Sequence, residues 1–179
     1  MKPDFSHIQL VAFDVDGVLT DGRLYYGPDG EALKVFNVRD GVGVKLLQDN
    51  NIPVVIISAK DSKPLTTRVT ELGIKYFYPG SKDKRAVLQK LLQELSIDAT
   101  NVVYVGDDMV DLPVMQDAGI SLAPADAYEF VKSECDWVLV SSGGQGVARE
   151  VADLVLGSKF DLTTIYKQAT LPKFERKRD

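Results

Sequence analysis

Five short apolar runs punctuate the chain, at residues 8–13, 54–57, 74–78, 102–105 and 137–140. They are rich in β-branched and aromatic residues and too short for helices, so they read as buried strands. Between them, apolar positions recur at helical spacing. Val87, Leu88, Leu91, Leu92 and Leu95 form one stripe, and Val147, Val151, Leu154 and Val155 form another. Leu112, Met115 and Gln116 mark a shorter segment before Gly119. Strands alternating with helices predict right-handed crossovers and an α/β, doubly wound parallel sheet. One stretch, residues 20–37, breaks the alternation. Its runs 23–26 and 32–36 flank Gly27-Pro28-Asp29-Gly30, which predicts a β-hairpin insertion with a loop longer than two residues. Between Asp16 and the second strand there is room for this hairpin and one helix. Between Ser58 and Lys84 there is room for a helix and a strand. Neither interval holds a cap domain, and no repeat or interdomain linker divides the chain, so residues 1–179 read as a single domain.

Composition narrows the function. With 179 residues, 45% of them apolar, the chain can bury one sizeable core. Its net charge of −5 argues against a general nucleic-acid binder. The longest apolar run, 52–59, falls far short of the roughly 20 residues of a membrane span, and residues 1–9 lack the apolar segment of a secretory signal. A single cysteine, Cys135, excludes an intrachain disulfide framework and a thiolate zinc site, and points to the reducing cytoplasm. The charge is uneven. Residues 171–179 form a basic tail that carries Lys173, Arg176, Lys177 and Arg178 against Glu175 and Asp179.

The candidate chemistry sits at strand ends. The first strand ends in Phe13-Asp14-Val15-Asp16-Gly17. Alternation places Asp14 and Asp16 on the same side, at the edge where open α/β sheets bind ligands. The fourth run ends in Gly106-Asp107-Asp108, with Asp111 about a turn further on. Up to five carboxylates therefore share one rim, and like charges so placed call for a cation or a shared proton. A hard divalent ion with oxygen ligands, Mg²⁺, answers that need. Ser58 follows the second strand, and Lys84 follows the third within Pro79-Gly80-Ser81-Lys82-Asp83-Lys84. A hydroxyl and an ammonium on that rim can hold phosphate oxygens. His7, the only histidine, precedes the first strand, which removes histidine phosphotransfer and most serine-hydrolase triads.

Together, Asp14-Val15-Asp16-Gly17, Ser58, Lys84 and Gly106-Asp107-Asp108 with Asp111 resemble the four motifs of the haloacid dehalogenase superfamily of phosphotransferases. That resemblance implies a Rossmann-like fold with Asp14 as nucleophile and Asp16 as acid/base. It also implies Mg²⁺ held by Asp14, the Asp16 backbone carbonyl and Asp107, with Asp108 and Asp111 as outer or water-mediated partners. Ser58 and Lys84 would hold the transferring phosphoryl group. Three longer segments, Asp14 through Gly22, Val38-Arg39-Asp40-Gly41 and Gly143 through Glu150, resemble the small, capless 3-deoxy-D-manno-octulosonate 8-phosphate phosphatases. Members release phosphate from an eight-carbon keto-sugar acid in lipopolysaccharide synthesis and are typically homotetramers whose hairpins associate. The resemblance therefore implies a phosphorylated keto-sugar acid as substrate and a homotetramer; the missing cap and the basic tail add the expectation that hairpin and tail complete a neighbouring site.

One departure bears on the substrate. The family usually carries Ser-Gly-Arg after the second strand, where this chain has Ser58-Ala59-Lys60. Arginine offers a planar fork to a carboxylate and lysine a point charge, so a nine-carbon keto-sugar acid 9-phosphate stands as the alternative. Lys60, Arg39, Arg68, Arg149 and the tail residue Arg176 are the candidate contacts to the sugar acid. Each arginine is also readable as a surface ion-pair member. A receiver-like phospho-signalling module is the non-enzymatic alternative. Receivers, however, carry the phosphorylated aspartate after strand three, where this chain has Tyr78-Pro79-Gly80.

Overall fold

The computed structural model describes residues 2–171. Its centre is strand β1 (Leu10–Phe13), in which all four residues are buried. The hairpin strands β2 (Tyr25–Gly27) and β3 (Gly30–Leu33) follow, then α1 (Val38–Asp49), β4 (Val54–Ile57), α2 (Lys63–Leu72), β5 (Tyr76–Tyr78) and α3 (Lys84–Leu95). The second half runs β6 (Val102–Val105), α4 (Leu112–Met115), β7 (Ile120–Ala123), α5 (Glu129–Glu134), β8 (Trp137–Val138), α6 (Val147–Lys159) and α7 (Leu162–Thr170). Six strands form one sheet in the order β5-β4-β1-β6-β7-β8, and every pairing is parallel.

Strand alternation divides the core into two layers. Val11, Phe13, Val54, Ile56, Val103 and Val105 face α1, α2, α6 and α7, where they meet Val44, Leu47, Leu65, Val151, Val155 and Ile165. Leu10, Ala12, Val55, Ile57, Val102 and Tyr104 face the other way, onto Leu88, Leu91, Leu92, Val114, Met115 and Val131 of α3, α4 and α5. Each fully buried aliphatic side chain of this kind contributes about 1.5–3 kcal/mol. The sheet is thus doubly wound, as the alternation predicts.

Four features differ from the sequence reading. Strand β7 was not expected, because Ser121 interrupts its apolar run. That serine is satisfied by Asp136, whose Oδ2 accepts from both the Ser121 N–H and its hydroxyl at 2.8 Å. The last strand stops at Val138, because the Val140 and Ser141 N–H groups donate instead to the Glu150 carboxylate, at 2.9 and 2.8 Å. The hairpin loop is two residues long, since Gly27 pairs directly with Gly30 across Pro28-Asp29. Helix α7 closes one face of the core with Ile165, which the sequence pattern did not single out.

The segment Val38-Arg39-Asp40-Gly41 has a structural task. Asp40 is buried and accepts hydrogen bonds from Gly146 N and Ala148 N, at 3.3 and 2.7 Å, so α1 caps the start of α6. Gly43 lets the two helices close, for a Cβ there would sit 2.4 Å from the Ala148 carbonyl oxygen. This contact draws the 141–146 loop against the turn that follows β1, where Gly144 N donates to Val18 O at 2.9 Å.

Candidate active site

Because β4, β1 and β6 are adjacent and parallel, their C-terminal ends share one rim, with Phe13 in register with both Ile56 and Val105. Asp14 takes the first position beyond β1, and its N–H donates to Val105 O at 3.0 Å. The chain then turns sharply, with Val18, Leu19 and Thr20 N–H all directed at Val15 O. Beyond β6, Asp108 accepts from Met109 N at 2.6 Å and starts a short 3₁₀ turn, Met109–Asp111. That turn folds Asp111 back beneath Gly106, where it is fully buried.

Asp111 organises the site floor. Its Oδ1 accepts from Tyr104 OH at 2.9 Å and from Lys84 Nζ at 2.8 Å, and its Oδ2 accepts from Asp107 N at 3.3 Å. Lys84 is the first residue of α3, whose N-terminus Asp83 caps through Ala86 N. The same Lys84 ammonium lies 2.8 Å from Asp14 Oδ1. Ser58, also buried, takes the first position beyond β4. Its N–H donates to Tyr78 O, its carbonyl accepts from Ser81 N and its hydroxyl accepts from Lys60 N, which ties the segment leading to Lys84 onto the rim.

The electrostatics are out of balance. Among the described residues Asp14, Asp107 and Asp111 each offer an oxygen within 4.8 Å of the others. Three carboxylates face one buried ammonium, an excess of two negative charges when all are ionised. Burial first, and then the Asp111 charge, pushes Asp14 up to about 7. Burial, with Asp14 and Asp111 beside it, pushes Asp107 up to about 8. Burial alone would lower Lys84, but Asp14 and Asp111 hold it above the ordinary lysine value. The donor set is all carboxylate oxygen, and its charge excess matches one divalent ion, so these residues fit Mg²⁺. Gly17 keeps the place open. Its φ is +84°, and a Cβ there would lie 2.0 Å from Asp107 Oδ2.

The other expected contacts are distributed differently. The Asp16 carboxylate stands outside the three-carboxylate group and pairs with Lys34. Asp108 is exposed and serves as a cap, whereas Asp111 supplies the third oxygen of the cluster. Lys60 is half-buried beside Ser58. Arg68, on α2, reaches Asn37 O at 3.4 Å and Glu71 at 3.6 Å, and lines a cavity of about 720 Å³ between α2 and the hairpin. Arg149 is held by Asp153 at 3.0 Å and lies over the Tyr166 ring. It shares with Arg39 a groove of about 450 Å³ that none of the clustered carboxylates lines. Within the chain Arg149 thus makes the ion pair that its sequence position offered beside a sugar-acid contact. Arg176 and the rest of the basic tail beyond Leu171 lie outside the described residues.

Sequence reasoning missed Lys34 and Glu31. Lys34 is almost wholly buried and bridges Asp16 to Glu31, whose Oε1 lies 2.9 Å away. A charged residue inside the apolar run 32–36, in phase with Ala32 and Phe36, was the available signal.

A parallel doubly wound sheet carrying this carboxylate and lysine cluster defines a haloacid dehalogenase-like hydrolase, and the family model of that description matches residues 64–151. The 3-deoxy-D-manno-octulosonate 8-phosphate phosphatase of Haemophilus influenzae is 44% identical over 156 residues, 87% of each chain. That of Escherichia coli K12 is 45% identical over 151 residues, 84% of this chain and 80% of the relative. Among solved structures, the cobalt-bound enzyme of H. influenzae superposes with a TM-score of 0.87 at 41% identity, covering 92% of this chain and 99% of that one. The Moraxella catarrhalis phosphatase in complex with magnesium, phosphate and KDO superposes with a TM-score of 0.88 at 32% identity, covering 93% and 96%. The chain belongs to the 3-deoxy-D-manno-octulosonate 8-phosphate phosphatase family. That membership sets the receiver-module alternative aside.

Proposed function

We propose that the chain is a Mg²⁺-dependent phosphatase that converts 3-deoxy-D-manno-octulosonate 8-phosphate into the free sugar acid and phosphate, a cytoplasmic step of lipopolysaccharide synthesis. The carrying observation is the Asp14, Asp107 and Asp111 cluster braced by Lys84, in a chain 44% identical to a phosphatase of that name. Asp14 attacks phosphorus and forms an aspartyl-phosphate. Asp16 gives its proton to the departing sugar oxygen and then takes one from the water that hydrolyses the intermediate. Ser58 and Lys84 hold the transferring phosphoryl group, and Lys84 exchanges part of its contact with Asp14 for phosphoryl oxygens. Asp14, Asp107 and the Asp16 backbone carbonyl would hold Mg²⁺, whose charge offsets that of the phosphoryl oxygens. Asp111 keeps Lys84 and the Asp107 backbone in place.

A specific feature favours a second substrate. Lys60 stands where the family usually has arginine, which leaves the nine-carbon keto-sugar acid 9-phosphate as the competing reading. Steady-state phosphate release from both sugar-acid phosphates and from p-nitrophenyl phosphate, with Mg²⁺ and with EDTA, separates the two. The eight-carbon substrate should have the highest kcat/KM. A higher value for the nine-carbon substrate would transfer the assignment to it.

Self-association is part of the same proposal. The hairpin segment exposes Leu24, Tyr25, Tyr26, Leu33 and Val35, a set of apolar side chains that a monomer has reason to cover. A homotetramer pairs these hairpins, and residues 171–179 reach a neighbouring site. Sedimentation should give a tetramer. Deletion of residues 171–179 should slow the sugar-acid phosphate more than p-nitrophenyl phosphate.

A further inference from the structure

Lys34 is a buried cation that the mechanism above does not use. It follows the second hairpin strand, its side chain is 1% exposed, and its ammonium pairs with Asp16 Oδ1 and with Glu31 Oε1. A buried ammonium is retained only where carboxylates meet it, and here both partners are identified. Among the described residues, Lys34 is the group that meets the Asp16 carboxylate.

We propose that Lys34 is a positioning residue for the acid/base Asp16, and that Glu31 holds Lys34 in place. This rests on the phosphatase reading above. Asp14 and Asp16 are two residues apart in the turn that follows β1, where alternation no longer applies, and like charges this close along the chain call for separate partners. The fold gives each its own lysine. Lys84, from α3, holds Asp14 Oδ1 at 2.8 Å, and Lys34, from the hairpin, holds Asp16 Oδ1. In-line transfer needs this division, because the nucleophile and the leaving oxygen stand on opposite sides of phosphorus. With Oδ1 engaged by Lys34, Oδ2 is the Asp16 oxygen left to face the leaving group. Proton transfer to the bridging oxygen as the P–O bond breaks, and from the attacking water as the aspartyl-phosphate P–O bond breaks, then runs through Oδ2. Lys34 belongs to the hairpin segment, so hairpin placement governs the leaving-group step in particular.

The test uses the full-length chain with Mg²⁺ and a series of aryl phosphates of graded leaving-group pKa, ending in ethyl phosphate. These probes lack the sugar acid, so they report on Asp16 and not on substrate recognition. Lys34→Met should steepen the dependence of kcat on leaving-group pKa. Ethyl phosphate should lose on the order of 10²-fold, as expected for impaired general-acid catalysis, and p-nitrophenyl phosphate should lose least. Lys34→Arg should restore most of the wild-type dependence, and Glu31→Gln should show a milder steepening. Equal losses along the series, or an unchanged slope, would overturn the proposal. Should Lys34→Met fail to fold by circular dichroism, Glu31→Gln decides by the same slope. A wild-type chain without Mg²⁺-dependent turnover would instead overturn the phosphatase reading itself.

Discussion

Lys84 Nζ stands 2.8 Å from Asp14 Oδ1, a pair that is buried on both sides, and the same ammonium lies 2.8 Å from Asp111 Oδ1. Removing the cation leaves three clustered carboxylates without it. Lys84→Met should therefore cost about 3–5 kcal/mol of stability in metal-free protein, the usual penalty for breaking a buried pair from one side. Added Mg²⁺ should return much of that loss. Denaturant titrations with EDTA and with Mg²⁺ check both statements, and phosphate release should fall in the same variant.

Asp14→Asn should act on activity and stability in opposite directions. Turnover should drop on the order of 10⁴-fold, since the nucleophile is lost. The metal-free protein should be at least as stable as wild type, because a like charge has left a buried cluster. Phosphate release and thermal unfolding in EDTA, measured on one preparation, test the pair of outcomes.

Proton and metal binding should compete. In the metal-free fold Asp14 and Asp107 are raised to about 7 and about 8, mainly by burial, from an ordinary value of 3.8. The folded state then binds more protons than the unfolded chain between those values, so metal-free stability should fall as pH rises from about 4 through about 8. Mg²⁺ must displace those protons, so its affinity should rise over the upper part of that range. The Mg²⁺-induced gain in Tm should accordingly be larger at pH 8 than at pH 6. A gain that is flat or falls with pH would contradict the charge excess assigned to this cluster.

Gly17→Ala should damage the cation site from the outside. The added methyl would sit 2.0 Å from Asp107 Oδ2, on a backbone whose φ of +84° disfavours any side chain. Calorimetric titration should show weakened Mg²⁺ binding while the far-ultraviolet spectrum stays native. Unchanged affinity would show that Asp107 can move aside without cost.

The chemistry of the rim was legible because strand ends carry it. Asp14, Ser58 and Asp107 each follow a run of apolar residues closely, and that spacing alone places them on one edge of a parallel sheet. Lys84 was found through its position after the third run. What escaped the reading depends on partners distant in sequence. Lys34 meets Asp16 across 18 residues, and its phase within the run 32–36 marks a buried charge without marking its partner. Ser121 hid strand β7 because its hydroxyl bonds with Asp136, 15 residues away. Arg149 was readable as a sugar-acid contact or an ion-pair member, but its place over the Tyr166 ring, 17 residues on, was not. The hairpin loop was overestimated because Gly27 and Gly30 count as turn formers in the sequence but pair as strand residues in the fold.

The central claim is that phosphorus passes through the Asp14 carboxylate. The direct measurement is borohydride reduction of the acid-quenched protein during turnover, followed by peptide mass spectrometry, because an acyl phosphate is reduced where a free carboxylate is not. The account predicts homoserine at position 14, dependent on substrate and Mg²⁺, with Asp16 and Asp107 unmodified. Steady turnover with no reduction at Asp14, or with reduction at another carboxylate, would contradict it.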